Sequence, residues 1–405
     1  MRSVRLRRLV LTLLLALILA PALAAGAAER PPLILVSIDG FRADYLGRGL
    51  SPNLAALAAG GVRADRMIPS FPSITFPNHY TLVTGLYPDH HGVIANGFED
   101  PKVSAAPFRM ASKEPAWWSQ ALPIWVTAER QGVKAGLMFW PGSEVAFDGA
   151  YASHWAPYDR TLPAEARVDR ILAWLDLPPD QRPGFFTLYF EAVDSAGHAQ
   201  GPDSPEVDRA IGVVDRAIGR LVDGLKARGL AANLIVVADH GMAKVPLGHE
   251  VQLDRLVDAS AIHVVFQDAV AGVDLAPTPA GAAARRALLA PHPHFSCWGK
   301  AQVPERFHYG SNPRVPEVVC LAETGWLIEA RGDLRRALIR GEHGYDNQDP
   351  AMGALFIANG PAFRQGLVVA PFPNVDVYPL MTSLLGLTPR PNDGRLADLE
   401  PILAK

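Results

Sequence analysis

The sequence predicts an α/β fold: a doubly wound, mostly parallel sheet with helices on both faces and an inserted subdomain. Three observations predict it. Short, continuous apolar runs recur along the chain, the pattern of strands buried on both faces of a parallel sheet. Helical patterns lie between them, so strand and helix alternate. Several runs stop abruptly at acidic or imidazole side chains, as strands do when their carboxyl ends border a ligand crevice.

The composition fits such a fold. The 405 residues are 49% apolar and 20% charged, with a net charge of −3, which excludes disordered and collagen-like classes. The near balance of charge argues against a nucleic-acid binder, which needs a basic excess to displace counterions. Two cysteines, Cys297 and Cys320, are too few for a disulfide scaffold or a thiolate metal cluster.

In chain order, Arg2, Arg5, Arg7 and Arg8 precede the apolar run Leu9–Ala20, and small residues follow to Ala27. This is the layout of a secretory signal peptide over residues 1–27, with a run shorter than the roughly 20 apolar residues a membrane span needs. No stable membrane span is expected after cleavage. Losing the four arginines takes the net charge from −3 to −7, and export to a periplasm or medium makes a Cys297–Cys320 disulfide chemically permissible. The first strand is expected at Leu33–Ile38, ending at Asp39-Gly40. A helix over Ser51–Ala59 follows, with Ser51 as cap and Pro52 in the first turn. Proline-rich loop chemistry over Pro69–Ile74 gives way to helix near Thr75, whose hydroxyl reads as a helix cap and also as a nucleophile beside anion-binding backbone N–H groups, two roles that do not exclude each other. Helix Ile124–Gln131, strand Lys134–Trp140, helix Ala164–Leu175 and strand Phe185–Phe190 come next, and Asp194 and His198 lie just beyond. Helix Pro205–Ala227 carries Asp and Arg residues to Arg228, read as a solvated face with i,i+4-type pairs. Strand Leu234–Ala238 stops at Asp239-His240-Gly241. From about 251 to 335 the rhythm breaks into a Pro-, His- and Ala-rich insertion, so the core is expected at 28–250 and 336–405. His343 stands in Gly341–Asn347, ahead of strand Gly353–Ala358 and helix Val375–Leu385.

The chemistry thus gathers at strand ends: Asp39, Asp194 with His198, Asp239 with His240, and His343. Carboxylate and neutral imidazole are the ligand types that hold zinc, or manganese less tightly, so two divalent ions can share this edge. Any single cluster reads equally as a cap or a turn; four in this order read as a metal site.

Ile38-Asp39-Gly40-Phe41-Arg42, the Thr75 segment, Thr84-Gly85-Leu-Tyr-Pro-Asp-His-His-Gly92, Asn96-Gly97, Asp194-x-x-x-His198, Ala238-Asp239-His240-Gly241-Met242 and Gly341-Glu-His343-Gly together resemble the nucleotide pyrophosphatase/phosphodiesterase family of the alkaline phosphatase superfamily, bacterial type. The resemblance covers nearly all of the chain beyond residue 27 and implies an alkaline-phosphatase-like core with two Zn2+. Asp194, His198 and His343 would hold one ion; Asp39, Asp239, His240 and the Thr75 oxygen would hold the other, an arrangement suited to ions about 3.5–4 Å apart. Thr75 would be the nucleophile, passing through a phosphothreonine. Asn96, with the Thr75 N–H, would donate to the non-bridging phosphoryl oxygens. Phe76 stands where monoesterases of the superfamily carry an arginine clamp, and Thr75-Phe76-Pro77-Asn78 lacks the sulfatase pattern, so a small-molecule phosphodiester is favoured. Phe76, Tyr158 and Tyr189 match family aromatics that stack on or flank a base, a contact worth about 1–3 kcal/mol. The implied reaction is hydrolysis of nucleotide phosphodiester or pyrophosphate bonds to nucleoside 5′-monophosphates. The alternatives on the same fold are choline-phospholipid or glycerophosphodiester cleavage and phosphonoacetate-type hydrolysis; the full ligand set argues against a non-catalytic binder. His79, His90 and His91 are read as structural or surface residues, His292 and His294 as part of a solvated loop, and Trp117-Trp118 as a loop anchor.

Overall fold

Leu33–Ile38 (β1) is a six-residue apolar strand with every side chain buried, and the molecule is built around it. A computed structural model describes residues 30–331 and 339–404; the expected signal peptide lies outside them. The residues from Pro31 onward form one unit. Its main sheet adds Val62–Ala64 (β2), Ala135–Met138 (β3), His154–Ala156 (β4), Phe185–Phe190 (β5) and Asn233–Val237 (β6). After the insertion, which holds the strands labelled β7 to β10 below, come Phe356–Asn359 (β11) and Leu367–Val369 (β12). The spatial order is β12-β2-β11-β6-β1-β5-β3-β4. The five strands from β6 to β4 are parallel, and β11 runs antiparallel to both of its neighbours. Every residue of β1, β5 and β6 is buried, as a sheet covered on both faces requires.

The register of the three central strands positions the site. Leu33 lies opposite both Phe185 and Asn233, and Ser37 opposite both Tyr189 and Val237. Strands aligned this way end together, so Asp39, Glu191 and Asp239 emerge on one edge. Strand and helix boundaries fall within a few residues of expectation, apart from the run Gly353–Ala358. Its first half pairs by isolated bridges from Ala354 to Arg42 and Met67, and only Phe356–Asn359 joins the sheet. Strands β2, β4 and β12 are three residues long, too short to show a strand period, so periodicity gave no sign of them.

Helices Pro52–Ala59 (α1), Ala164–Leu175 (α4) and Ala192–Gln200 (α5) each pack on Pro205–Ala227 (α6), whereas Thr75–Thr84 (α2), Ile124–Arg130 (α3) and Val377–Leu385 (α8) form a second group. Two expectations about these helices are corrected. Ser51 makes no capping hydrogen bond. The buried carboxylate of Asp215 on α6 does so instead, accepting from Asn53 N at 3.2 Å and Leu54 N at 2.9 Å. The charged face of α6 is likewise less solvated and less self-paired than its spacing suggests: Asp215 is 2% exposed. Arg220 and Arg228 reach across to Asp169 and Asp176 on and after α4, and Asp208 pairs with Arg48.

Within residues 251–335 lies a second, antiparallel sheet. Its strands Ile262–Phe266 (β7), Val270–Leu275 (β8), Phe295–Gly299 (β9) and Val318–Ala322 (β10) are ordered β7-β8-β10-β9, and helix Pro279–Leu288 (α7) packs on β8. Cys297 and Cys320 face each other across β9 and β10 and form a disulfide. A separate apolar cluster including Leu253, Val273, Leu288, Phe295 and Val318 surrounds it. The return limb of the insertion is tied to the core: Asp89 accepts from the backbone of Gly310, Ser311 and Asn312, and the buried Arg314 donates to Gly92 and Trp117 carbonyls. His292 and His294 do more than sit in a solvated loop, since they stack on Phe295 and Trp326 at 4.5 and 3.7 Å.

Candidate active site

Thr75 opens α2, and its hydroxyl does not cap that helix. The turn is instead braced by Asn78, fully buried, whose Nδ2 donates to Ser70, Pro72 and Ile74 carbonyls and whose Oδ1 accepts from Ser70 N. That leaves Thr75 Oγ1 out of the turn's bracing, with His240 Nε2 as its hydrogen-bond partner at 3.2 Å. As the first helical residue, Thr75 also keeps an N–H with no acceptor inside the helix.

Around this oxygen the chain gathers the six other residues expected to hold metal. Ligand atoms of Asp194, His198 and His343 lie within 4.8 Å of one another, as do those of Asp39, Asp194 and His240, and those of Asp39, His79 and Asp239. Each imidazole is oriented by a backbone carbonyl at Nδ1: Gly341 O for His198 at 3.0 Å, Ser73 O for His343 at 2.9 Å, and Gly241 O for His240 at 2.9 Å. A carbonyl only accepts, so each Nδ1 carries the proton and each Nε2 presents a lone pair, the tautomer a metal ligand needs. His79 differs. Its Nδ1 donates to Thr75 O at 2.8 Å and its Nε2 meets Ser37 Oγ at 2.8 Å, so both nitrogens are engaged and the residue is structural.

The donor set fits divalent cations on direct grounds. Asp39 Oδ1, Asp194 Oδ1 and Asp239 Oδ2 are buried oxygens without a hydrogen-bond partner, and a buried unpaired carboxylate is costly. His240 Nε2 lies 2.9 Å from Asp239 Oδ2 and 3.5 Å from Asp39 Oδ1, and His198 Nε2 lies 3.4 Å from Asp194 Oδ1. These are lone pairs facing lone pairs, an arrangement that a cation relieves. Burial and the charges of Asp239 and Asp194 push the Asp39 carboxyl well up. His343, buried and stacked 3.6 Å from His240, is held well below the usual imidazole range by burial and by its neighbours His240 and His198.

A cavity of about 600 Å³ opens on this centre, lined by Thr75, Phe76, Asn96, Trp118, Tyr158 and Tyr189 among others. Asn96 Oδ1 accepts from Phe76 N at 2.8 Å, so its Nδ2 is the end left to donate. Tyr158 is 46% exposed whereas Tyr189 is 9%, so Tyr158 offers the more open face. Tyr189 has a second attachment that its motif position did not reveal: its hydroxyl donates to Asp39 Oδ2 at 2.6 Å. Trp118, read as a loop anchor, lines the cavity beside Phe76, with ring centroids 6.1 Å apart; Trp117 packs on Phe98 and Phe108. His91 is buried, which drops its pKa to about 3, and His90 is an exposed partner of Asp393.

Two charged pairs at the cavity escaped the sequence reading. Arg167, 3% exposed, holds Glu191 through both nitrogens at 2.5 and 2.9 Å and donates to Tyr189 O. Lys113 pairs with Glu144 at 2.6 Å, and Glu144 also accepts from Tyr158 N. Neither pair has a fixed sequence spacing; each needs the fold to bring distant segments together.

Comparison with known proteins bears on this geometry. The family model for type I phosphodiesterase/nucleotide pyrophosphatase matches residues 33–346. Mouse ectonucleotide pyrophosphatase/phosphodiesterase family member 1 is 41% identical over 395 residues, which cover 93% of this chain and 43% of that protein. A venom phosphodiesterase of Crotalus durissus collilineatus is 39% identical, covering 93% of this chain and 47% of its own. The chain therefore spans under half the length of these relatives. It covers 80% of an uncharacterized pyrophosphatase/phosphodiesterase of Schizosaccharomyces pombe, at 39% identity. Among solved structures, murine ectonucleotide pyrophosphatase/phosphodiesterase 5, as an inactive variant in complex with AMP, superposes with a TM-score of 0.88 at 33% identity. That match covers 92% of this chain and 100% of the other.

Proposed function

This chain belongs to the type I phosphodiesterase/nucleotide pyrophosphatase family, and from that premise we propose that it is a zinc-dependent phosphodiesterase releasing nucleoside 5′-monophosphates from nucleotide diesters or pyrophosphates. The observation that carries the reading is the convergence of three unpartnered carboxylate oxygens and three oriented imidazoles near the hydroxyl of Thr75, which is bonded to one of them, His240. Asp194, His198 and His343 would hold one ion, and Asp39, Asp239, His240 and Thr75 the other. Such ions supply Lewis acidity that favours the Thr75 alkoxide and offsets charge on the leaving oxygen.

The chain's own residues do the rest. Thr75 Oγ1 bonds to phosphorus as the bond to the leaving oxygen breaks, giving a phosphothreonine that water then hydrolyses. Asn96 Nδ2 and the Thr75 N–H donate to the non-bridging oxygens, where charge builds. Phe76, Tyr158 and Tyr189 present aromatic surface to the base. The AMP held by the murine relative supports a nucleoside monophosphate in this cavity. The two acids at its wall support the same reading over a choline ester: Glu191 is neutralised by Arg167 and Glu144 by Lys113, so neither is a free carboxylate for a quaternary ammonium. Export is part of the proposal, on the basic, apolar and small-residue order of residues 1–27 and on the disulfide, which persists in oxidising compartments.

Rates on a nucleotide diester, a choline phosphodiester and a phosphate monoester, measured side by side with zinc restored, test the substrate class; a faster choline ester would overturn it. Thr75→Ala should lower turnover by about 10³-fold or more while bound zinc, counted by elemental analysis, stays. Undiminished turnover would remove Thr75 as nucleophile.

A further inference from the structure

Glu191 lines the cavity on this centre, and the buried Arg167 of α4 stands behind it. The Glu191 side chain is 17% exposed. Four donor contacts hold the guanidinium: Nε to Leu162 O at 3.0 Å, Nη1 to Tyr189 O at 2.9 Å and to Glu191 Oε2 at 2.5 Å, and Nη2 to Glu191 Oε1 at 2.9 Å. A bidentate pair kept from water is strong and geometrically specific. The other ion pair of the wall differs in kind, because Lys113 is 56% exposed and an ion pair open to solvent is worth little. We propose that Arg167 is a specificity-determining residue that acts through Glu191 and the two cavity tyrosines: it makes this wall a neutral aromatic face for a base, and without its charge the same wall takes a quaternary ammonium. The inference rests on the nucleotide hydrolase reading above and deepens it by naming what excludes a choline ester.

Three contacts connect Arg167 to the parts of that wall. Glu191 is the N-cap residue of α5, yet its side chain caps nothing; both of its oxygens turn to Arg167. The Tyr189 carbonyl is held by the same guanidinium, and Tyr189 lines the cavity. Phe139 carries the third contact. It follows β3 in a left-handed conformation at φ 64°, uncommon for a bulky residue, and Thr187 Oγ1 on β5 donates to its carbonyl at 3.0 Å. The centroid of its ring lies 5.0 Å from the guanidinium carbon of Arg167 and 5.1 Å from the ring of Tyr158, which meets it edge to face. Tyr158 in turn lies 6.1 Å from Tyr189 and feels both charges: burial and Glu191 push its hydroxyl up to about 12, and Arg167 pulls the other way. Paired, the two charges cancel. With the guanidinium gone, a carboxylate beside two aromatic rings remains, and that is the chemistry that holds a trimethylammonium group. A base gains nothing from the charge and loses the support behind the rings.

The test uses two substrates with one leaving group, the nitrophenyl ester of a nucleoside 5′-monophosphate and nitrophenyl phosphocholine, so that only the retained side of the diester changes. Rates are taken per bound zinc. For Arg167→Met, which keeps an apolar stem, the ratio of kcat/KM for the nucleotide ester to that for the choline ester should fall about tenfold or more, with the choline ester itself gaining. Arg167→Lys should keep most of the original ratio. Glu191→Gln should lower the choline ester, because it leaves the guanidinium unpaired, and combining it with Arg167→Met should abolish the gain. Calorimetry with AMP and with phosphocholine reads the same shift without turnover. A purely structural Arg167 would slow both substrates alike, so an unchanged ratio in Arg167→Met, or a choline gain that persists in the double variant, overturns the proposal. Should Arg167→Met fail to fold, Glu191→Gln decides alone: a choline ester rate that holds or rises there is equally fatal. If the unsubstituted protein neither cleaves the nucleotide ester nor binds AMP, it is the nucleotide reading that fails.

Discussion

At the level of single residues, the site depends on side chains that orient other side chains. Tyr189 illustrates this. From its place five residues before Asp194 it reads as a base-flanking aromatic, and its ring does line the cavity. Its hydroxyl, however, is bonded to Asp39 Oδ2, and burial, with the charge of Asp39, holds that hydroxyl well above its ordinary pKa. The hydroxyl therefore remains a proton donor and fixes which carboxylate oxygen faces inward. Tyr189→Phe keeps the ring and removes that bond. Zinc affinity, read by competition with a chromophoric chelator, should drop by about 10–100-fold, with little change in the affinity for AMP when zinc is saturating. Equal zinc affinity in the two proteins would mean that packing alone holds Asp39.

At the level of elements, helix ends are the informative places. The sequence pattern located α1 to within a residue but named Ser51 as its cap, because hydroxyl–proline pairs commonly start helices. The carboxylate that performs the role comes from α6, 162 residues further on, where no local rule can find it. Asp215 also accepts from Asn53 Nδ2 at 2.8 Å, so one buried anion ties α1 to α6 through three donors. Asp215→Ala should destabilise the protein by about 1–3 kcal/mol, seen as an earlier midpoint in denaturant unfolding at unchanged slope. Asp215→Asn, which keeps an acceptor, should recover part of the loss. The same logic separates what was legible in the sheet. The runs of β1, β5 and β6 announce themselves because both faces are buried. The three-residue strands β2, β4 and β12 are held by hydrogen bonds to neighbours and need no apolar pattern.

For the whole molecule, the convergence of the seven residues proposed as ligands was legible because each stands at or just after a strand or loop of fixed local pattern, and the sheet register converts sequence order into one edge. What was not legible is everything formed by pairs from distant segments: Arg167 with Glu191 and Lys113 with Glu144. Chelation should act on the molecule as a whole, since Asp39, Asp194 and Asp239 would otherwise each keep a crowded oxygen without a partner. Removing zinc should lower the midpoint of thermal unfolding, and restoring it in excess should raise the midpoint with ligand concentration; a midpoint indifferent to zinc would contradict the site. The alignment of β1 with β5 and β6 also sets a chronology. Neighbours in this sheet lie about 150 and 200 residues apart in the chain, so the metal centre cannot assemble from any short stretch of it. During refolding, helical signal should return first and catalytic competence last, which makes activity a clock for completion of the sheet.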